Sequence, residues 1–182
     1  MQRRILLQGL AALIAMPLLP ACARDATTKP ATAAPGPARG KSQAITRLRK
    51  PEAEWKALLS PAAYAVLFRE DTERPFSSAL NNEKRRGSYI CAACYLPLFK
   101  SEHKFDSGTG WPSFTQAIAS HAGTKRDFKL ILPRNEYHCA RCGGHQGHIF
   151  DDGPKPRGER WCNNGVALAF VPQGQPLPAL RS

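Results

Sequence analysis

The sequence predicts a mainly β domain of antiparallel strands with short helices at its N-terminal end. Three observations predict it. From Gly87 onward the apolar runs are short and aromatic, and Gly, Pro, Asn and Asp break them at turn positions. Apolar residues at helical spacing occur before that point, between Pro51 and Phe68. Strands do not alternate with long helical patterns, which disfavours a parallel α/β sheet.

The chain has 182 residues, enough for one domain with appendages. Residues 1–22 read as an export signal. Arg3-Arg4 supply a basic start, and an apolar run from Ile5 to Leu19 follows, broken by Gln8, Gly9 and Pro17. That run is too short and too rich in proline for a permanent membrane span. Leu19-Pro20-Ala21-Cys22 resembles a bacterial lipobox, in which the cysteine is acylated after cleavage in front of it. Cys22 is thus a lipidation candidate, although Pro20 departs from the pattern and cleavage elsewhere is the alternative. Arg3 to Leu7 also resembles a twin-arginine signal without its usual preceding Ser/Thr. Either route implies an exported protein, periplasmic or anchored to an outer membrane.

Residues 23–50 are rich in Ala, Pro, Thr and basic residues, with too few large apolar groups to offset ordering entropy. They read as a disordered tether. Residues 1–50 carry nine Lys/Arg and one Asp, so +8 of the net +12 lies outside the domain expected at 51–175. The basic character therefore belongs to signal and tether, and nucleic acid is not an expected partner. Residues 176–182 read as a flexible tail, and the domain as a monomer.

Trp55, Leu58 and Leu59 share a helical face after Pro51. Ser60-Pro61 restarts the pattern as N-cap and first helical residue, and Tyr64, Leu67 and Phe68 repeat the spacing. Pro75 forces Arg74 into extended backbone and ends the helical region. Ser88–Ile90, Leu98-Phe99, Phe128–Leu132, Tyr137–Cys139, His148–Phe150 and Val166–Phe170 read as strands.

Six cysteines occur. Cys91/Cys94 and Cys139/Cys142 form two Cys-x-x-Cys pairs, whose spacing lets two sulfurs turn toward one metal. Gly143-Gly144 permits the tight turn behind the second pair. Two pairs make a closed four-thiolate site for a structural zinc. Two disulfides, or a redox Cys-x-x-Cys, are the alternatives in an exported protein. Cys162 has no nearby partner and is the candidate reactive thiol.

Two stretches have the chemistry to serve that thiol. His145-Gln146-Gly147-His148 offers two imidazoles as acid, base or orienting groups. Phe105 to Phe114 holds Trp111 between Gly110 and Pro112, a rigid aromatic wall. Together with Thr72–Phe76, both Cys-x-x-Cys pairs and Gly158–Asn164, these stretches resemble the methionine-R-sulfoxide reductase B family, from about Leu58 to Phe170. The resemblance implies two antiparallel β-sheets with N-terminal helices and a structural zinc on Cys91, Cys94, Cys139 and Cys142. It implies Cys162 as nucleophile, with His145, His148 and Asn164 as catalytic partners. Trp111 would line the pocket for the substrate methyl group, with Phe114 beside it. The reaction implied is reduction of methionine-R-sulfoxide, most naturally in oxidised proteins, leaving Cys162 as sulfenic acid.

Many members of that family carry a resolving cysteine at the position of Thr109. A threonine forms no disulfide, so recycling here is expected to use an external reductant, a thioredoxin-like domain or a small thiol.

Overall fold

The computed structural model describes residues 45–130 and 132–182. The expected export signal and most of the expected tether lie outside the described residues. No helix among the described residues is long and apolar enough to cross a membrane.

Two helices open the domain, α1 (Glu52–Leu58) and α2 (Pro61–Arg69). Ser60 caps α2 as expected, its hydroxyl accepting from the Ala63 N–H at 3.2 Å, with Pro61 at the first helical position. Trp55 is buried and stacks on Phe68 at 5.0 Å between ring centres, whereas Leu58 remains exposed. The fold begins before Pro51, because Ile45 and Leu48 pack on the core and the Leu48 N–H bonds the Arg141 carbonyl at 2.7 Å. The chain end is also held. The Arg181 N–H bonds the Cys94 carbonyl at 3.2 Å and its guanidinium lies over the Tyr95 ring.

Nine strands follow: β1 (Gly87–Cys91), β2 (Pro97–Lys100), β3 (Lys104–Phe105), β4 (Ser113–Phe114), β5 (Ala122–Asp127), β6 (Arg134–Cys139), β7 (His145–Phe150), β8 (Arg160–Asn163) and β9 (Leu168–Pro172). They form two sheets, β2-β1-β9 and β3-β4-β8-β7-β6-β5, and every pairing is antiparallel. The mainly β, two-sheet expectation holds. Aromatic rings fasten the sheets together. Phe99 of the small sheet stacks on Phe114 of the large one at 4.1 Å, and Tyr89 meets Phe114 edge-on at 4.9 Å. Tyr137 and Trp161 extend the cluster along the large sheet.

Two strand expectations need correction. In the expected strand Phe128–Leu132, the described residues Phe128–Leu130 and Leu132 are not in a strand. The strand is the preceding Ala122–Asp127, which has no large apolar residue and so gives no alternation signal. Asp127 ends it by accepting the Lys129 N–H at 2.9 Å, a local side-chain bond that competes with the ladder. Phe128, Leu130 and Leu132 are exposed beyond it. Val166 also lies outside a strand, within the 3-10 turn Gly165–Ala167. The Glu73 carboxylate accepts both the Gly165 and Val166 N–H groups and holds that turn.

Candidate active site

The large sheet puts its chemistry on one face. Side chains alternate along a strand, so i and i+2 share a side. Arg160 and Cys162 therefore share a face of β8, and their ladder partners Phe150 and His148 share it on β7. Glu136 pairs with His148, and Arg134 pairs with Asp127 at the other end of β6. Ser113 of β4 pairs with Cys162 from the opposite side. The remaining face, with Phe114, Tyr137 and Trp161, supplies the aromatic core.

His145 would not join that face in a regular strand. The β6–β7 register slips at Tyr137/His138, where Gly147 and then His145 take successive partners. A bulge of this kind re-aims a side chain. Here it brings the His145 ring within 5.3 Å of the His148 ring.

A cavity of about 120 Å³ opens at Cys162, lined by Trp111, Arg134, Gly147, His148, Phe150 and Asn164 among others. Burial pushes the Cys162 thiol up, while the Arg160 guanidinium and the Thr109 hydroxyl pull it down. Arg160 is itself clamped by Asp152, at 2.7 and 2.9 Å, and lies over the Phe150 ring at 4.3 Å. Burial also pushes His148 down, outweighing its bond to Asp127. Both shifts favour the neutral forms, a thiol opposite an imidazole.

Each histidine is fixed by a carboxylate. His148 Nε2 lies 2.8 Å from Asp127, which also binds Arg134 at 2.7 Å. The Lys129 N–H and the His148 bond hold the Asp127 carboxyl well below its usual range. His145 Nδ1 lies 2.7 Å from Glu136, and His138 shares that carboxylate at 3.3 Å. Burial raises Glu136, but hydrogen bonds from His138 and His145 prevail and hold it at about 2.

Trp111 borders the cavity as expected, its indole N–H donating to the Glu73 carbonyl at 3.1 Å. Asn164 is almost fully buried, and its amide is spent on backbone: Oδ1 accepts from Glu73 N at 3.0 Å and Nδ2 donates to the Gln146 carbonyl at 3.0 Å. It borders the cavity but acts mainly by joining three segments. Phe114 is corrected. It is 0% exposed, stacks in the aromatic core and does not line the cavity. Its Cα pairs with Trp161, so alternation turns it from the Cys162 face.

The four paired cysteines converge. Their sulfurs lie within 4.8 Å of one another, with Cys91–Cys142 at 3.7 Å and Cys94–Cys139 at 3.5 Å. All five cysteines among the described residues are free thiols, so the disulfide alternative is not realised there. Metal–sulfur bonds of about 2.3 Å in a tetrahedron require sulfurs about 3.8 Å apart. The set fits a closed four-thiolate metal. The Gly144 N–H and the Gln146 side-chain amide donate to Cys142 and Cys91 sulfurs at 3.4 Å, as thiolates require.

Sequence reasoning missed Asp127, Glu136, Arg160 and Glu73. Carboxylates and arginines are common in polar strands, and only the sheet register sets these beside the histidines and the thiol. Two had a signal: Arg160, two residues before Cys162 and so on its face, and Glu73, inside the Thr72–Phe76 stretch.

A model described as the SelR domain matches residues 59–172. Proteins named peptide methionine sulfoxide reductase MsrB are similar across the same region. The one from Bradyrhizobium diazoefficiens is 50% identical over 125 residues, covering 68% of this chain and 90% of its own length. Those from Methanosarcina mazei and Pseudomonas putida are 47% and 48% identical, over 70% and 71% of this chain and 92% and 98% of theirs.

Proposed function

The chain belongs to the SelR-domain family of MsrB methionine sulfoxide reductases, and on that premise we propose how its own residues carry the reaction. The enzyme is an oxidoreductase that reduces methionine-R-sulfoxide. The observation that carries the residue assignment is a partly buried thiol in a small cavity, with an imidazole on the adjacent strand and an indole on the wall.

The substrate methyl group packs on Trp111, and the sulfoxide sulfur faces Cys162. The Cys162 sulfur attacks it and takes the oxygen. One S–O bond forms and one breaks, methionine leaves, and Cys162 becomes sulfenic acid. The thiol gives up one proton and the oxygen needs one. His148 accepts and delivers it, with His145 beside it, while Asp127 and Glu136 fix the two rings. Arg160 stabilises the thiolate as it forms. Asn164 positions the strand after the nucleophile.

Thr109 stands where a resolving cysteine would, hydrogen-bonded to Ser107 at 2.8 Å. The sulfenic acid is therefore reduced from outside. One external thiol attacks Cys162, releasing water, and a second thiol displaces the resulting mixed disulfide. The reductant is a thioredoxin-like dithiol or a small thiol.

Zinc is the metal we assign to Cys91, Cys94, Cys139 and Cys142. When bound, it ties the turn after β1 to the turn after β6 and takes no part in oxygen transfer. Export, acylation of Cys22 and residence in the cell envelope are supported by the basic start, apolar run and Leu-x-Ala-Cys of residues 1–22.

The test is turnover of separated R and S sulfoxide epimers of a Met-containing peptide, with dithiothreitol as reductant. Turnover of R alone, abolished by Cys162→Ser, is expected. Turnover of S alone, or an active Cys162→Ser protein, overturns the reading.

A further inference from the structure

Trp111 borders a second cavity besides the catalytic one. This second cavity, of about 220 Å³, is walled by Phe76, Phe105 and Pro112, with Asn81, Lys104 and Asp106 as polar lining. We propose that it is a subsite for a carboxylate side chain near the oxidised methionine of a polypeptide substrate, with Lys104 as the anchor; this rests on the sulfoxide reductase reading above.

Lys104 is the first observation. It is half-buried, and its ammonium donates to the Asn81 carbonyl at 2.9 Å. An ammonium has three donors, and no carboxylate lies within ion-pair distance of Lys104 among the described residues. Burial and the nearby Lys84 charge push Lys104 down, and the more distant Asp106 and Glu83 carboxylates only partly offset them. Asp106, the acidic group of this cavity, accepts the Gly108 N–H at 2.9 Å within its own turn.

The walls are the second observation. Phe76 is 73% exposed and sits at a left-handed φ of 62°. Both features cost stability and gain nothing for the core. The chain nevertheless holds Phe76 there, through its N–H to the Gly110 carbonyl at 2.7 Å. Gly110 has no room for a Cβ, which would come within 2.8 Å of the Phe76 ring. Asn81 bonds the same Gly110 carbonyl at 2.9 Å. The rim is thus built and fixed around an exposed aromatic.

Spacing is the third. Phe105, Ser113 and Cys162 are successive ladder partners on β3, β4 and β8. Two strand spacings put Phe105 about 10 Å from Cys162, a reach of one to three residues along an extended substrate. A peptide with its sulfoxide at Cys162 can therefore cross Trp111 and set a neighbouring side chain in this cavity. Its aliphatic stem would meet the aromatic walls and its carboxylate would meet Lys104.

The experiment uses capped R-sulfoxide peptides with Glu or Gln at each of the three positions on either side of the sulfoxide, and capped methionine-R-sulfoxide as control. At one or more positions the Glu peptide should show kcat/KM about fivefold above its Gln counterpart, carried by KM, as for one ion pair. Lys104→Gln should erase that preference while retaining turnover of the capped amino acid, and Lys104→Arg should keep it. A Glu/Gln ratio near one at all six positions, or one unchanged by Lys104→Gln, overturns the subsite. Failure of the parent enzyme on every R-sulfoxide substrate overturns the catalytic reading, and the subsite with it.

Discussion

Cys162 and His148 stand directly opposite one another in the β7–β8 ladder, on the face of the sheet that carries Arg160, Glu136 and Asp127. Opposed residues on neighbouring strands bring their side chains closest. The proposed nucleophile and its proposed proton acceptor are therefore paired by strand register rather than by a loop. Gly147 protects that register, because a Cβ there would come 1.9 Å from the Cys162 carbonyl oxygen.

Proton transfer through His148 should appear in kcat. His148→Gln is expected to lower kcat by about 100-fold with KM nearly unchanged. Asp127→Asn should cost less, about tenfold, and its signature is the pH profile. The Asp127 bond raises His148 against burial, so its loss lowers His148 further. The acid limb of kcat/KM, expected below pH 6.5 in the parent enzyme, should move to lower pH in Asp127→Asn.

Cys162 should be slow to alkylate at neutral pH. Burial holds its thiol above the ordinary value, so the rate with iodoacetamide should rise with pH to a midpoint above about 9. Arg160→Gln removes a charge that favours the thiolate and should move the midpoint higher. A midpoint near neutrality in the parent enzyme would contradict this account of the resting thiol.

The four-cysteine site should be structural. Removing the metal with a chelator, or replacing Cys139 by Ser, is expected to cost about 3 kcal/mol or more and to lower the melting temperature cooperatively. Metal content should be one zinc per chain by atomic emission.

Gly147→Ala should destabilise by about 3 kcal/mol, since the added methyl group meets backbone that cannot yield without opening the ladder. Thermal or urea unfolding measures it. The nearby Gly143, whose Cβ would meet nothing within 4 Å, is the contrasting glycine, strained in backbone but not crowded.

The candidate residues that the structure gathers at one cavity or beside it were legible in the sequence because each lies in a dense local pattern: Cys162 two residues after Arg160, the histidines three apart, Trp111 between Gly and Pro. The Cys-x-x-Cys pairs were legible for the same reason. What supports them was not. Asp127 and Glu136 lie in β5 and β6, and only antiparallel register sets them beside His148 and His145. Strand β5 was invisible because Gly-Thr-Lys-Arg carries no apolar alternation, whereas the exposed Phe128, Leu130 and Leu132 imitate it. Phe114 was misread because a shared motif places residues in the same loop without saying which face they take. The alternation between Ser113 and Phe114 decides that, and it sends Phe114 into the core.

The central claim is that Cys162 takes the sulfoxide oxygen and keeps it, with no internal cysteine to resolve it. Intact-mass and peptide-mass analysis after one turnover of R-sulfoxide without reductant tests it most directly. The account predicts a gain of one oxygen, localised to Cys162 and trapped by a sulfenic-acid reagent such as dimedone, with Cys91, Cys94, Cys139 and Cys142 unmodified. A disulfide between Cys162 and another cysteine of the chain, or methionine formed with no oxygen on Cys162, would contradict it.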